Sequence, residues 1–432
     1  MDNKTFTGSG PTWANACVGD NGQPNYIEYS KGYSKAANLL LNYILNSKGE
    51  QIDHLIYPIC FNMRHSIELR LKGAIEEIRL LAHIKKIDLP CFNLITSHDI
   101  GNIWSYFKIN ANLLDTRFRE LIDRINETIC DIASIDPTGQ TFRYPRSNDD
   151  QTHLVEQGVI NCYILNTRFK DLEDNLDDLI YLIDSLIDEY KLGTFTKNLS
   201  RQQIFELTTH LPPYEQWSDN SFKAIKEELT KCYKISNNEL TKAIKLIKDH
   251  YELSHKIGIK KPLAFLNDVQ ILELCDIWIT YFSPDFKEVY SHKETTVDKD
   301  EKDSNFIDDF FRCGSLHKKG MTILEKDLSD NYVSDLQSLY YLSIDKHKYS
   351  ENYISSYELF QKQAKYKNIR DSLSNILSKV IFLEELVKSL FFLHQIDLAE
   401  KIIKIYNLET IFNFIPEARN RLFFRHFELM GY

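Results

Sequence analysis

Apolar residues recur at helical spacing from about Tyr29 onward, first in the run AANLLLNYIL. A second helix is predicted over residues 52–86, DHLIYPICFNMRHSIELRLKGAIEEIRLL. Its apolar positions surround three charges spaced four apart, Arg64, Glu68 and Lys72. At about 100° per residue these share one face, so Glu68 can pair with both neighbours. His65 and Arg70 flank that stripe. Ser97 or Asp99 is placed to cap the next helix, which carries Trp104, and another helix is predicted over residues 110–133. Asp136-Pro137, Gly139 and Tyr144-Pro145 break the pattern into a turn with an extended piece. A long helix over residues 153–190 carries a heptad seam of Leu165, Phe169, Leu172, Leu176, Leu179, Ile183, Leu186 and Tyr190, ending at Gly193. That spacing packs a helix along a neighbour, within a bundle or across a dimer. Two later helix starts fit a capping box, Ser200 to Gln203 and Ser236 to Glu239. No internal repeat is present.

The pattern predicts an all-α protein of several helical bundles. Residues 1–25 read as an irregular arm, 26–193 as an N-terminal helical domain and 194–290 as a middle helical domain. Residues 291–329 read as a charged linker, since SHKETTVDKDEKDSN is nearly devoid of apolar side chains, and 330–432 as a C-terminal helical unit. The chain's 432 residues allow two to four domains, and only 15 Gly and 11 Pro interrupt it, which favours helices over a turn-rich β architecture. The eight cysteines are scattered with no local pair, which excludes a CxxC redox site or a locally built zinc knuckle. No apolar run approaches the ~18 residues of a membrane span, and the N-terminus lacks a leader's basic and apolar regions. A cytoplasmic protein with no membrane contact is expected.

The net charge of −10 argues against a global nucleic-acid footprint, but the charge is uneven. Residues 171–190 hold eight acidic and no basic side chains, whereas residues 223–261 hold ten lysines against five acids. Within the basic stretch Lys242, Lys245 and Lys248 repeat at three-residue spacing, on the second of two helices joined by a short turn. That arrangement is either a nucleic-acid contact similar to a helix-turn-helix or the solvated face of an amphipathic helix.

The chain's last helix is predicted to begin at Pro416 and to read PEARNRLFFRHFELM, with Arg419, Asn420 and His426 on it. Seven steps of about 100° put Arg419 and His426 nearly in line, about 10 Å apart along the axis. An Arg-Asn pair followed by a His on a late helix resembles the signature of the HEPN superfamily. Those helical proteins include metal-independent ribonucleases of toxin–antitoxin, CRISPR and abortive-infection systems, in which two copies usually meet across a dimer. The resemblance implies that His426 moves a proton, Arg419 neutralises charge building on the phosphorane and Asn420 orients either group. The alternative is the polar face of an amphipathic terminal helix.

Residues 55–190 also look like a HEPN-like helical domain of bacterial defence-linked proteins. The residues that carry this likeness are Arg64, Glu68, Lys72, His98, Trp104, Asp136, Phe142, Arg143, Tyr144 and Pro145. No His follows Arg64 at the catalytic spacing, so here the resemblance implies a fold and not a nuclease centre. Arg64, Glu68, Lys72 and Arg143 then form either an internal ion network, with Asp136 joining it, or a pocket for a phosphate or nucleotide. P-loop, GxGxxG, HExxH and GxSxG motifs are absent, and neither a metal site nor a cofactor is indicated.

These readings lead to a bacterial anti-phage or toxin-type effector acting on RNA as a metal-independent endoribonuclease. The rival is a non-enzymatic adaptor of a defence complex, binding a protein partner or a second copy through the residue 165–190 helix. A third is a nucleic-acid-binding regulator using residues 223–261.

Overall fold

The computed structural model describes residues 3–22, 24–48, 50–147, 150–292, 306–422 and 430. Every named element among them is helical, and none of these helices is long and apolar enough to cross a membrane. The chain divides into two compact units, Met1–Lys191 and Leu192–Tyr432.

The first unit contains α1 (Tyr26–Asn46), α2 (Ile52–Lys85), α3 (Ile100–Leu114), α4 (Phe118–Ile135) and α5 (Cys162–Lys191). At 34 residues α2 runs for about 50 Å, and α1, α3 and α5 pack against it. Every side chain from Ser66 to Ile75 is buried, the condition of a helix enclosed on all sides. Gly73 marks the closest approach of α1, since a Cβ there would stand 2.5 Å from Ile27 Cδ1. The helix expected over residues 110–133 is two helices. Asp115 accepts the Arg117 N–H at 3.0 Å, and that Asx turn separates α3 from α4. Asn161 caps α5 by accepting from Tyr163 and Ile164, so the helix starts at Cys162 and residues 153–161 are irregular.

The heptad seam of α5 is consumed at home. Phe169, Leu172, Leu176, Leu179, Ile183, Leu186 and Tyr190 are buried, with α2 and α4 as the main neighbours of α5, and Leu165 is half-buried. A partner or second copy docking along that seam is thereby ruled out, because its apolar surface is already covered.

The second unit contains α6 (Arg201–Thr209), α7 (Asn220–Cys232), α8 (Asn237–Asp249), α9 (Tyr251–Lys256), α10 (Asp268–Ile277), α11 (Phe286–His292) and α12 (Phe306–Leu324). It continues through α13 (Asp330–Ile344), α14 (Glu351–Ala364), α15 (Ile369–Leu377), α16 (Phe382–Phe392), α17 (Ile396–Tyr406) and α18 (Ile415–Arg419). The boundary expected after residue 290 does not separate two cores. Leu263, Leu266, Ile271, Trp278 and Phe286 share one core with residues from Met321 to Ala418. Buried Asp335 locks that union, accepting the N–H groups of Phe265 and Leu266 at 2.8 and 2.7 Å and the hydroxyl of Tyr353. The expected linker is also shorter, since α12 occupies residues 306–324 and only 293–305 lie outside the described residues.

One buried imidazole in this unit makes stability depend on pH. His394 stacks on His255 at 4.4 Å and buries both ring nitrogens with no hydrogen-bond partner among the described residues. Burial, then the charge of Arg421 and the neighbouring His255, His250 and Lys256, pushes its pKa from 6.5 down to about 2. The unfolded chain takes up a proton that the folded unit refuses. Stability is therefore whole above the ordinary value and falls by up to about 1.4 kcal/mol per pH unit as pH drops below it. Urea midpoints at pH 7 and pH 5 should diverge in the wild type and converge in His394→Leu; equal divergence in both would contradict this.

Candidate active site

The stripe on α2 faces inward, and its charges satisfy one another. The Arg64 guanidinium pairs with Glu68 and also donates to the carbonyls of Asp136 (3.2 Å), Pro137 (2.6 Å) and His98. Arg64 thus fastens two loops, the one entering α3 and the one leaving α4, onto the central helix. Ile100 N–H donates to Pro137 O at 2.9 Å and joins the loops to each other. The second loop comes this close only because Gly139 sits at φ +77°, where a Cβ would meet Arg64 Nη1 at 3.2 Å.

Glu68 is 3% exposed and is the hub. Lys72 Nζ reaches its Oε1 at 2.9 Å, and His98 Nδ1 reaches the same oxygen at 3.0 Å. His65 Nδ1 stands 3.9 Å from Oε2. Burial raises the Glu68 pKa, but His65, Lys72 and the Arg64 charge outweigh it and hold the carboxyl far below the usual carboxylate range. Glu68 is therefore an anion that can only accept, so the proton shared with His98 belongs to Nδ1. Nε2, on a side chain 59% exposed, has no hydrogen-bond partner among the described residues.

The pair opens into a cavity of about 920 Å³. Tyr33, Phe61, His65, Asp99 and Arg143 are among its walls. His65 lies parallel to the Phe61 ring at 5.7 Å, with Tyr33 edge-on at 4.4 Å. Arg143 lies over the rings of Phe61 and Tyr144, at 5.8 and 5.2 Å, with no carboxylate partner among the described residues. The charged lining is Arg64 and Arg143 against Glu68 and Asp99, with Lys72 buried behind Glu68. Asp99 itself caps α3, accepting from Asn102 N at 2.9 Å. Among the described residues no group of three or more His, Cys, Asp or Glu side chains is placed to hold a metal ion.

Of the residues weighed for a phosphate pocket, Arg64 and Lys72 are spent on Glu68; Arg64 and Arg143 line the cavity, and Lys72 does not. Asp136 stays out of the ion network. One carboxylate oxygen accepts Thr141 N at 3.0 Å and the other is buried without a partner among the described residues. His65 and His98 line the cavity with Glu68, and a spacing search misses that grouping because His98 reaches Glu68 from 30 residues away. The signal for it was the Ser97-His98-Asp99 segment, where the cap Asp99 fixes the residue before it.

The C-terminal trio has a different geometry from the one its spacing suggested. The helix stops at Arg419, where the Asn420 side chain turns back to Pro416 O at 2.9 Å and Arg421 adopts φ +54°. One continuous helix aligning Arg419 with His426 is absent, and His426 lies outside the described residues. The Arg419 guanidinium is forked onto two carboxylates, Glu400 at 2.7 and 2.8 Å and Glu409 at 2.6 and 2.9 Å. Four of its five N–H donors are engaged by these carboxylates, whose two negative charges disfavour a phosphate beside it. Lys242 and Lys245 are exposed on α8, and Lys248 lies over the rings of Tyr214 and Trp217 at 4.4 and 4.9 Å. No protein-family model, no curated protein and no solved structure matches this chain.

Proposed function

We propose that this chain is a ribonuclease-type effector that acts on RNA in the cavity beside Glu68 and His98. The observation that carries the reading is the ionised, buried Glu68 holding Nδ1 of an exposed His98. A carboxylate that orients an imidazole and stabilises its protonated form is the support a general base needs. In this reading His98 Nε2 takes the proton of an RNA 2′-hydroxyl, whose oxygen attacks the adjacent phosphorus. The bond from phosphorus to the 5′-oxygen breaks, and His65, on the same wall, returns a proton to that oxygen. Arg143 offsets the charge that builds on the phosphorane. The substrate supplies its own nucleophile, which suits a site built of bases and cations. The resemblance of residues 55–190 to HEPN-like domains of defence-linked proteins supports an effector of the toxin or anti-phage kind, while the cleavage chemistry rests on the Glu68–His98 pair alone.

The test is incubation of an RNA oligonucleotide and its 2′-O-methyl counterpart with purified protein and no added metal. Only the unmodified strand should be cut, leaving 2′,3′-cyclic phosphate ends. Equal cutting of both strands, or of neither, would overturn the reading.

A further inference from the structure

We propose that the second unit holds a separate binding face for an RNA strand, built from the start of α7, the 3-10 turn Tyr214–Ser218 and the outer side of α8. Three rings form a row there. Tyr214 meets Trp217 edge-on at 5.1 Å, and Trp217 stacks on Phe222 at 4.6 Å. Lysines sit on that row, with Lys248 Nζ over Tyr214 and Trp217 and Lys226 Nζ 5.0 Å above Phe222. Lys242 and Lys245 continue the row along α8, on the arc opposite buried Leu240, Ala243 and Ile247.

Acidic side chains lie near this face, Glu215 on the turn and Glu239, whose carboxyl pKa the charge of Lys242 helps to lower, but none closes an ion pair with its lysines. Lys223, Lys226, Lys231, Lys234, Lys242, Lys245 and Lys248 form no ion pair with a carboxylate among the described residues, in a protein whose net charge is −10. Two of the lysines are pinned by cation–π contact, so their ammonium groups are held in place before a ligand arrives. Fixed cations in a line match a phosphodiester backbone, and Tyr214, 45% exposed, offers a ring to a base. An acidic peptide would use the charge and leave the ring idle. The choice of RNA among nucleic acids rests on the reading of the Glu68–His98 cavity; the existence of the face does not.

The experiment is fluorescence anisotropy of a labelled 2′-O-methyl oligouridylate, which is not cut, with the full chain carrying His98→Ala. Affinity should fall with salt. Adding Lys242→Gln and Lys245→Gln should flatten the log–log salt slope by about 1.4, at roughly 0.7 per lost phosphate contact. Tyr214→Ala should weaken binding about tenfold or more by removing a stacking partner. Circular dichroism checks that each variant is folded. No binding, or an unchanged slope in the double lysine variant, overturns the proposal. Polyglutamate that displaces the strand equally well from the parent and from Tyr214→Ala overturns it in favour of an acidic peptide. Binding by this face in a protein whose wild type cuts no RNA leaves the proposal standing and removes the cleavage reading alone.

Discussion

Arg117→Ala is expected to destabilise the first unit by about 3–5 kcal/mol, the range for stranding buried charges. The Arg117 guanidinium is forked onto two buried carboxylates. Nε and Nη2 reach Asp115 at 2.9 Å each, and Nη1 and Nη2 reach Glu189 at 2.9 and 2.7 Å. Tyr190 adds its hydroxyl to Asp115 at 2.7 Å, and Lys85 Nζ holds the Tyr190 oxygen at 2.9 Å. The α3–α4 corner is thereby tied to the ends of α2 and α5. Burial raises the Asp115 pKa, but hydrogen bonds and charge from Arg117 bring it below 3.8. Its contribution is therefore present above about pH 4 and lost as pH falls through the lowered value. Without Arg117 the burial is opposed only by the Tyr190 hydrogen bond and the nearby Lys85 charge, so the carboxyl pKa would rise and the defect should shrink in acid. Amide exchange over α3 to α5 should speed by about 10²- to 10⁴-fold at pH 7. Unaltered protection there would show that the network contributes nothing.

His98→Ala is expected to lower the rate of RNA cleavage by about 10²- to 10⁴-fold, the usual contribution of a positioned acid–base group. Its fold should survive, because the side chain is 59% exposed and buries little. Glu68 keeps Arg64 and Lys72 as partners in that variant, so no buried charge is stranded. Glu68→Leu is a poorer probe, since it strands both cations and confounds activity with unfolding. The decisive pattern is a loss in kcat with the melting temperature unmoved. A matching loss of melting temperature would mean that His98 is holding the loop that enters α3 rather than acting on substrate.

Helices and their caps were largely legible in the chain. Asp99 caps α3, and Ser200 with Gln203 forms the full capping box at α6. At α8 only half of the box forms. Ser236 accepts from Glu239 N, but the Glu239 carboxylate turns away to Asn198 N at 3.0 Å. The charged stripe on α2 could be read because i, i+4 pairing is local. The heptad seam of α5 was legible as an apolar stripe, but periodicity says nothing of which neighbour covers it. His98 was singled out, but its pairing with Glu68 escaped because it lies in the loop before α3, and a helix-wheel argument on α2 cannot reach across to it. The stop at Asn420 escaped for the opposite reason. Arg421 enters the left-handed region without a glycine to announce it.

The most direct test of the account is one RNA degradation assay comparing wild type, His98→Ala and Arg419→Ala at matched concentration, with circular dichroism confirming each fold. Arg419 is partly exposed and makes surface ion pairs of modest worth, so its removal should leave both fold and cleavage intact. The account predicts cleavage by wild type and Arg419→Ala and none by His98→Ala. Cleavage retained by His98→Ala and lost in Arg419→Ala would contradict it, and would return the chemistry to the end of the chain.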